Sequence, residues 1–173
     1  GLDIDIVGTQ ADLNGYALVV LPAMPIVSTR LMESLRASKA HIALYPRSGS
    51  KLEGMSIPPT LAPGRLSELI NVRIPRVESL RPAVQESVHY KGQSGIATRW
   101  RETVEVGAGA TVIAHFDDGT PAVARHGRVH YLAGWFDLDL QRSLLRDMAM
   151  EAGLIKDKEK DVYCKHYHDI QNT

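Results

Sequence analysis

The sequence predicts an α/β fold, and three neighbouring stretches carry that prediction. Gly15-Tyr16-Ala17-Leu18-Val19-Val20-Leu21-Pro22 is a short apolar run, entered by Asn14-Gly15 and closed by Pro22. Both of its faces are apolar, as in a parallel strand covered by helices above and below. Ser28 can cap a helix in which Leu31, Met32 and Leu35 recur at helical spacing. A second apolar run, His41-Ile42-Ala43-Leu44-Tyr45, follows. Strand, helix and strand make a βαβ unit, with the rest of the chain arranged around it.

The remaining elements follow in order. Ile4, Ile6 and Val7 are expected to form a short strand, joined to the Tyr16–Leu21 strand by the polar connection Gln10 to Asn14, which is too short for a helix. Pro46 to Pro63 is long, irregular and rich in Ser, Gly and Pro; loops of this kind often carry interaction surfaces. Pro63-Gly64 opens a short helix with Leu66, Leu69 and Ile70 on its apolar side. From Asn71 the period changes to two, and Pro75 interrupts Val72, Ile74 and Val77, so an edge strand or a bulge is expected. Strands are predicted over Val84–Tyr90 and, after a Gly92-Gln93-Ser94-Gly95 turn, over Ile96–Val106. Thr111–Phe116 ends at the Asp118-Gly119 turn, and Ala122–Arg125 pairs with Arg128–Leu132 across His126-Gly127. The last helix is capped by Asp137 or Asp139, has Leu140, Leu144, Leu145 and Met148 on one face, and stops at Gly153.

At 173 residues the chain is one domain, or one domain with an appendage. Twenty basic and twenty acidic residues cancel, which removes any electrostatic drive towards nucleic acid or an anionic membrane. Apolar runs are too short to span a bilayer. The single cysteine, Cys164, excludes an internal disulfide. With no signal peptide in view, the cytoplasm is the expected compartment. The chain begins without a methionine and enters a predicted strand within three residues, so a fragment of a longer polypeptide is expected.

Several side chains invite a chemical reading, each with a structural counterpart. Ser48, in Arg47-Ser48-Gly49-Ser50, follows a buried strand, where open α/β sheets place reactive groups. The Gly-x-Ser-x-Gly elbow is absent, and a loop serine satisfying backbone groups explains it as well. Cys164, His166 and His168 alternate, so on a strand they share one face, which suits a soft divalent metal; an unpaired linker strand is the other reading. Asp117-Asp118 and Asp137/Asp139 are carboxylate pairs, but the first fits a turn and the second a helix start. Trp100, flanked by Arg99 and Arg101, fits a sugar or anion site, or an interface anchor. No Gly-rich phosphate loop is present, and no cofactor is expected. A ligand or hydrolytic site near Ser48 and His130, at the ends of the strands, stays open as the reading of a stand-alone domain.

Taken together, several stretches resemble the middle domain of glycoside hydrolase family 42 β-galactosidases. They are Asp5-Ile6-Val7, the run from Ala11 to Ala23, Pro46-Arg47-Ser48-Gly49-Ser50-Lys51, Trp100-Arg101-Glu102, Gly119-Thr120-Pro121-Ala122-Val123, the run from Gly127 to Gly134, and Glu151-Ala152-Gly153-Leu154. The likeness covers residues 1–155 in order, and 156–173 looks like a linker and the first strand of the small β domain that follows in that family. The resemblance implies a flavodoxin-like three-layer sandwich related to class I glutamine amidotransferases. It implies a homotrimerising domain without catalytic residues of its own, preceded by a TIM barrel that holds the two glutamates of a retaining mechanism. The amidotransferase cysteine has no counterpart in Tyr45-Pro46-Arg47-Ser48-Gly49. The resemblance also implies a first strand and helix upstream of Gly1, with that strand lying between the Ile4–Val7 and Tyr16–Leu21 strands. Arg47, Ser48, Trp100 and Arg101 are the residues expected at an interface or at the rim of an active site.

Overall fold

The structure, a computed structural model, describes residues 3–156. It opens with β1 (Leu18–Leu21), α1 (Thr29–Ala37) and β2 (His41–Leu44). The two strands are parallel, with Leu18 opposite His41 and Leu21 opposite Leu44, so the expected βαβ unit is present. Ser28 caps α1 by accepting from the Leu31 amide at 3.2 Å. Leu31, Met32 and Leu35 are its buried side.

After the long 46–63 segment, a 3-10 turn (Gly64–Leu66) leads into α2 (Ser67–Ile70) and then β3 (Val72–Ser79). The meander β4 (Gln85–Tyr90), β5 (Gln93–Val106), β6 (Thr111–Phe116), β7 (Pro121–His126), β8 (Val129–Leu132) and β9 (Gly134–Phe136) precedes α3 (Leu138–Glu151). The described strands form one mixed sheet in the order β1-β2-β8-β7-β6-β4-β5-β3, with β9 added against β5. β8 lies parallel to β2 and antiparallel to β7, which joins the parallel unit to the meander.

Helices cover both faces of this sheet. Neighbouring residues on a strand point to opposite sides. Arg125 of β7 reaches Glu151 of α3, whereas His126 meets the carbonyl of Leu69 in α2. The α/β class and the layering of helices on both faces are therefore as expected. The core runs through both layers, from Leu35, Ile42 and Leu44 to Tyr131, Phe116, Leu140 and Leu144.

Several local expectations need correction. Ile4–Val7 has no regular secondary structure and no strand partner among the described residues, and Ile4 and Ile6 are 83% and 100% exposed. An alternating apolar pattern makes a strand only when another edge accepts its hydrogen bonds. β1 consequently ends the sheet, with no described strand on its outer side, the side where the resemblance implies one. The β4–β5 turn is Lys91-Gly92, both at positive φ (48° and 79°), rather than the expected Gly92–Gly95, of which Gln93 to Gly95 already belong to β5. His126 pairs with Val129, so the β7–β8 turn is Gly127-Arg128. β9 was not foreseen, because three residues are too few to show a period. The β3 expectation holds: it is an edge strand whose register shifts between Arg73 and Arg76, around Pro75.

Arg128, in that tight turn, ties the βαβ unit to the meander. Its guanidinium donates to the carbonyls of Ala40 (2.8 Å), Ser38 (2.5 Å) and Leu35 (3.3 Å), satisfying the open C-terminal end of α1. Arg128→Ala is expected to cost about 2 kcal/mol in urea unfolding, and Arg128→Lys to recover only part, because a lysine cannot reach three acceptors with a planar fork.

Candidate functional site

Two segments far apart in sequence meet at the C-terminal end of β2. Arg47 sits in the turn after β2 with φ 71°, and Arg99 interrupts β5 with φ 65°, a bulge that aims the next residue, Trp100. A left-handed conformation costs a non-glycine residue on the order of 1 kcal/mol, so both positions are held by their surroundings. They bring the Arg47 guanidinium over the Trp100 ring, 5.2 Å from its centre. Such a contact is worth about 0.5–2 kcal/mol.

Glu102 holds this pair in place. It is two residues beyond Trp100, on the same face of β5, and only 1% exposed. Its Oε1 accepts from the Arg47 backbone N–H and from Trp100 Nε1, each at 2.9 Å. Its Oε2 accepts from the Tyr131 hydroxyl at 2.5 Å. Burial pushes the Glu102 carboxyl above its usual range, and the three donors pull it back only in part. Burial, with the Glu102 charge beside it, raises the Tyr131 hydroxyl as well.

A groove of about 380 Å³ opens beside this cluster. Arg47, Lys51, Ile57, Leu61, Val77 and Trp100 are among its walls. Ile57 and Val77 are 64% and 50% exposed, and Glu102 is the only carboxylate in the described lining. With both its oxygens already hydrogen-bonded, Glu102 orients Arg47 and Trp100. Glycoside hydrolysis requires a second carboxyl facing the first across the bond, and this groove supplies none among the described residues.

The other sequence candidates go elsewhere. Ser48 is fully buried, and its hydroxyl accepts from the Met24 amide at 3.2 Å. His130 lies under α3 in a different cavity, of which Ser48 is not a wall. Arg101 points away from Trp100. It donates to Glu86 (3.1 Å), to Thr120 (2.6 Å) and to Asp118, and covers the Phe116 ring at 4.2 Å. The Thr120 hydroxyl, with Arg101, holds the Asp118 carboxyl down at about 2. Asp117 is engaged by His89, and Asp137 is the N-cap of α3, accepting from the Asp139 and Leu140 amides at 3.0 Å. Cys164, His166 and His168 lie outside the described residues, among which no cluster of three such ligands is placed to hold a metal. No described helix is long and apolar enough to cross a membrane.

Glu102 and Tyr131 were not singled out from the sequence. A signal for Glu102 existed: it falls in phase with Trp100 and Val104 on the inward side of an amphipathic strand.

A family model described as the β-galactosidase trimerisation domain matches residues 1–155. This chain belongs to that family. The chain is 41% identical over 154 residues to a β-galactosidase of Thermus thermophilus, a match that takes in 89% of this chain and 24% of the relative. It is 30% identical to β-galactosidase Bga of Halorubrum lacusprofundi, covering 89% of this chain and 25% of that one. Among solved structures, the β-galactosidase of the psychrophilic Marinomonas ef1 superposes with a TM-score of 0.84 at 32% identity, over 88% of this chain and 23% of that chain. The chain thus spans about a quarter of the length of the curated relatives it matches.

Proposed function

We propose that this chain is the non-catalytic assembly module of a β-galactosidase that hydrolyses terminal β-D-galactosides, and that three copies associate through it. The observation that carries this reading is the family match over residues 1–155, together with relatives that extend well beyond the matched region. Hydrolysis belongs to two glutamates in a TIM barrel outside this chain, with a small β domain following residue 155. The cytoplasm is the proposed compartment. Arg47 and Trp100, with the 46–63 loop, form the surface offered to a neighbouring copy, at its interface or at the rim of its active site. Arg and Trp are the side chains that anchor such contacts most often. The strained backbone at Arg47 and Arg99 supports the assignment, because strain gathers where geometry serves binding.

The test is direct. Light scattering after size exclusion should give the mass of three chains, and Trp100→Ala or Ile57→Asp should shift it to smaller species. The purified chain should not hydrolyse a nitrophenyl β-galactoside. Hydrolysis above background, abolished by no change outside this chain, overturns the reading.

A further inference from the structure

The C-terminal half of α3 rests on a polar cluster that the assembly reading does not use. At its centre is His130 on β8, only 2% exposed, with an Nδ1 that has no hydrogen-bond partner. His41 on β2 faces the same layer, and its Nδ1 is also buried without a partner. Between His130 and the helix lies a cavity of about 50 Å³, walled also by Tyr90, Lys91 and Arg125. That is room for a water molecule or two and far too little to hydrate an imidazolium.

The charges around the cavity balance before any histidine is protonated. From α3, Asp147 accepts from Tyr90 (2.7 Å), at the end of β4, and from Lys91 (2.6 Å) in the turn beyond it. Glu151 accepts from both Arg125 nitrogens, at 3.0 and 2.9 Å. His41 Nδ1 stands 3.9 Å from Glu151, whose charge offsets only part of the burial that lowers the His41 pKa. His130 has no carboxylate partner, and only the Arg128 backbone favours its proton. Both carboxylates are occupied by other donors, and Arg125, His41 and Lys91 all oppose a positive charge on it.

We propose that His130 makes the packing of the last two turns of α3 against β2 and β8 acid-sensitive, so that its protonation is relieved by lifting Leu144 to Glu151 off the sheet. The geometry leaves that route open. The N-terminal turn of α3 is fixed separately by the Asp137 cap and by Gln141, which is bonded to Tyr45 and to the Phe136 carbonyl. Beyond Glu151 the helix ends at Gly153, without a cation in its last turn.

Burial, followed by the Arg125 charge, lowers the His130 pKa to about 4, from the ordinary value near 6.5. A histidine lowered in the folded state binds its proton more tightly once released. Its neutral form therefore supports the packed state fully above about pH 6.5, and that support drains away as pH falls from about 6.5 to about 4. At pH 5.0 the open form is favoured on the order of thirtyfold more than at pH 7.5.

Hydrogen exchange, corrected for intrinsic rates, tests this on the intact chain. Amides of residues 144–151 should lose on the order of thirtyfold protection between pH 7.5 and 5.0, while β5 amides keep theirs. His130→Asn should remove that step. An equal loss in β5, an unchanged α3, or a step that survives in His130→Asn overturns the proposal. Should the variant not fold, the imidazole of His130 in the unaltered chain decides by NMR titration. A midpoint below pH 5 supports the latch, and one near 6.5 overturns it. None of these readouts depends on assembly, so the two proposals fail separately.

Discussion

Replacing Gly49 by alanine is expected to give the largest single loss of stability in this domain, about 4 kcal/mol or more, measured by urea unfolding. Two independent costs fall on one methyl group. Gly49 has φ +67°, a conformation that side-chain-bearing residues enter at a cost of about 1 kcal/mol. A Cβ there would also stand 1.8 Å from the Pro63 carbonyl oxygen, deep inside contact distance and against backbone that cannot rotate away. Gly64 mirrors it, since its own Cβ would lie 2.8 Å from the Gly49 carbonyl. These two glycines bring the ends of the long 46–63 loop together. The Gly49 amide adds a bond to the Met24 carbonyl at 2.8 Å. Closing the loop at its base is what gives Ile57 and Leu61 a fixed place beside Trp100. Gly54 is the control: its Cβ would meet nothing within 4 Å and its φ is not positive, so Gly54→Ala should change stability by under about 0.5 kcal/mol.

Glu102→Ala should cost about 3–5 kcal/mol. The loss comes from the donors left behind rather than from the carboxylate. The Arg47 amide, Trp100 Nε1 and the Tyr131 hydroxyl all lose their acceptor in a site largely closed to water. Glu102→Gln should be far milder, about 1 kcal/mol, because its carbonyl oxygen still serves Arg47 and Trp100 and only the Tyr131 bond must reverse. The pH dependence of this second variant carries a sign. The Glu102 carboxyl is raised by burial, so its protonated form suits the fold. Its contribution is fully present below the unfolded carboxyl value and is lost as pH rises through the folded one. Glutamine has no such loss, so its deficit relative to the native chain should shrink between pH 4 and pH 7. A deficit that grows instead would mean that the ionised carboxylate is the favoured form. Fluorescence from Trp100 provides a second readout, since freeing the indole from Glu102 and Arg47 changes its environment.

Much of the fold was legible because it rests on short-range rules. The period of Leu31, Met32 and Leu35 gave α1, Ser28 marked its start, and the start of α3 was narrowed to Asp137 or Asp139, of which the structure uses Asp137. Turn glycines bounded the meander strands, and the missed turns were off by one or two residues. Ile4–Val7 shows the limit of such rules, since its alternation is real but its pairing partner is not local.

The candidate site was half legible. Arg47 and Trp100 stood out by residue type, and each could be placed on a turn or a strand. Ser48 and Arg101 carried the same signals and went elsewhere, one into the wall of the fold and the other into a cluster with Glu86 and Asp118.

The sequence alone determined the βαβ start, the helix caps, the Pro75 irregularity and a likeness to one family across residues 1–155. Each depends on neighbours within a few positions or on the residues themselves. Only the tertiary structure decided that Glu102 would receive the Arg47 amide from 55 residues away, that β9 would fold back on β5, and that His130 would lie under α3 without a partner for its Nδ1. The physical reason is common to all three. A buried polar group is set by which donors and acceptors reach it when water is excluded, and that is fixed by the packing of distant segments rather than by periodicity along the chain.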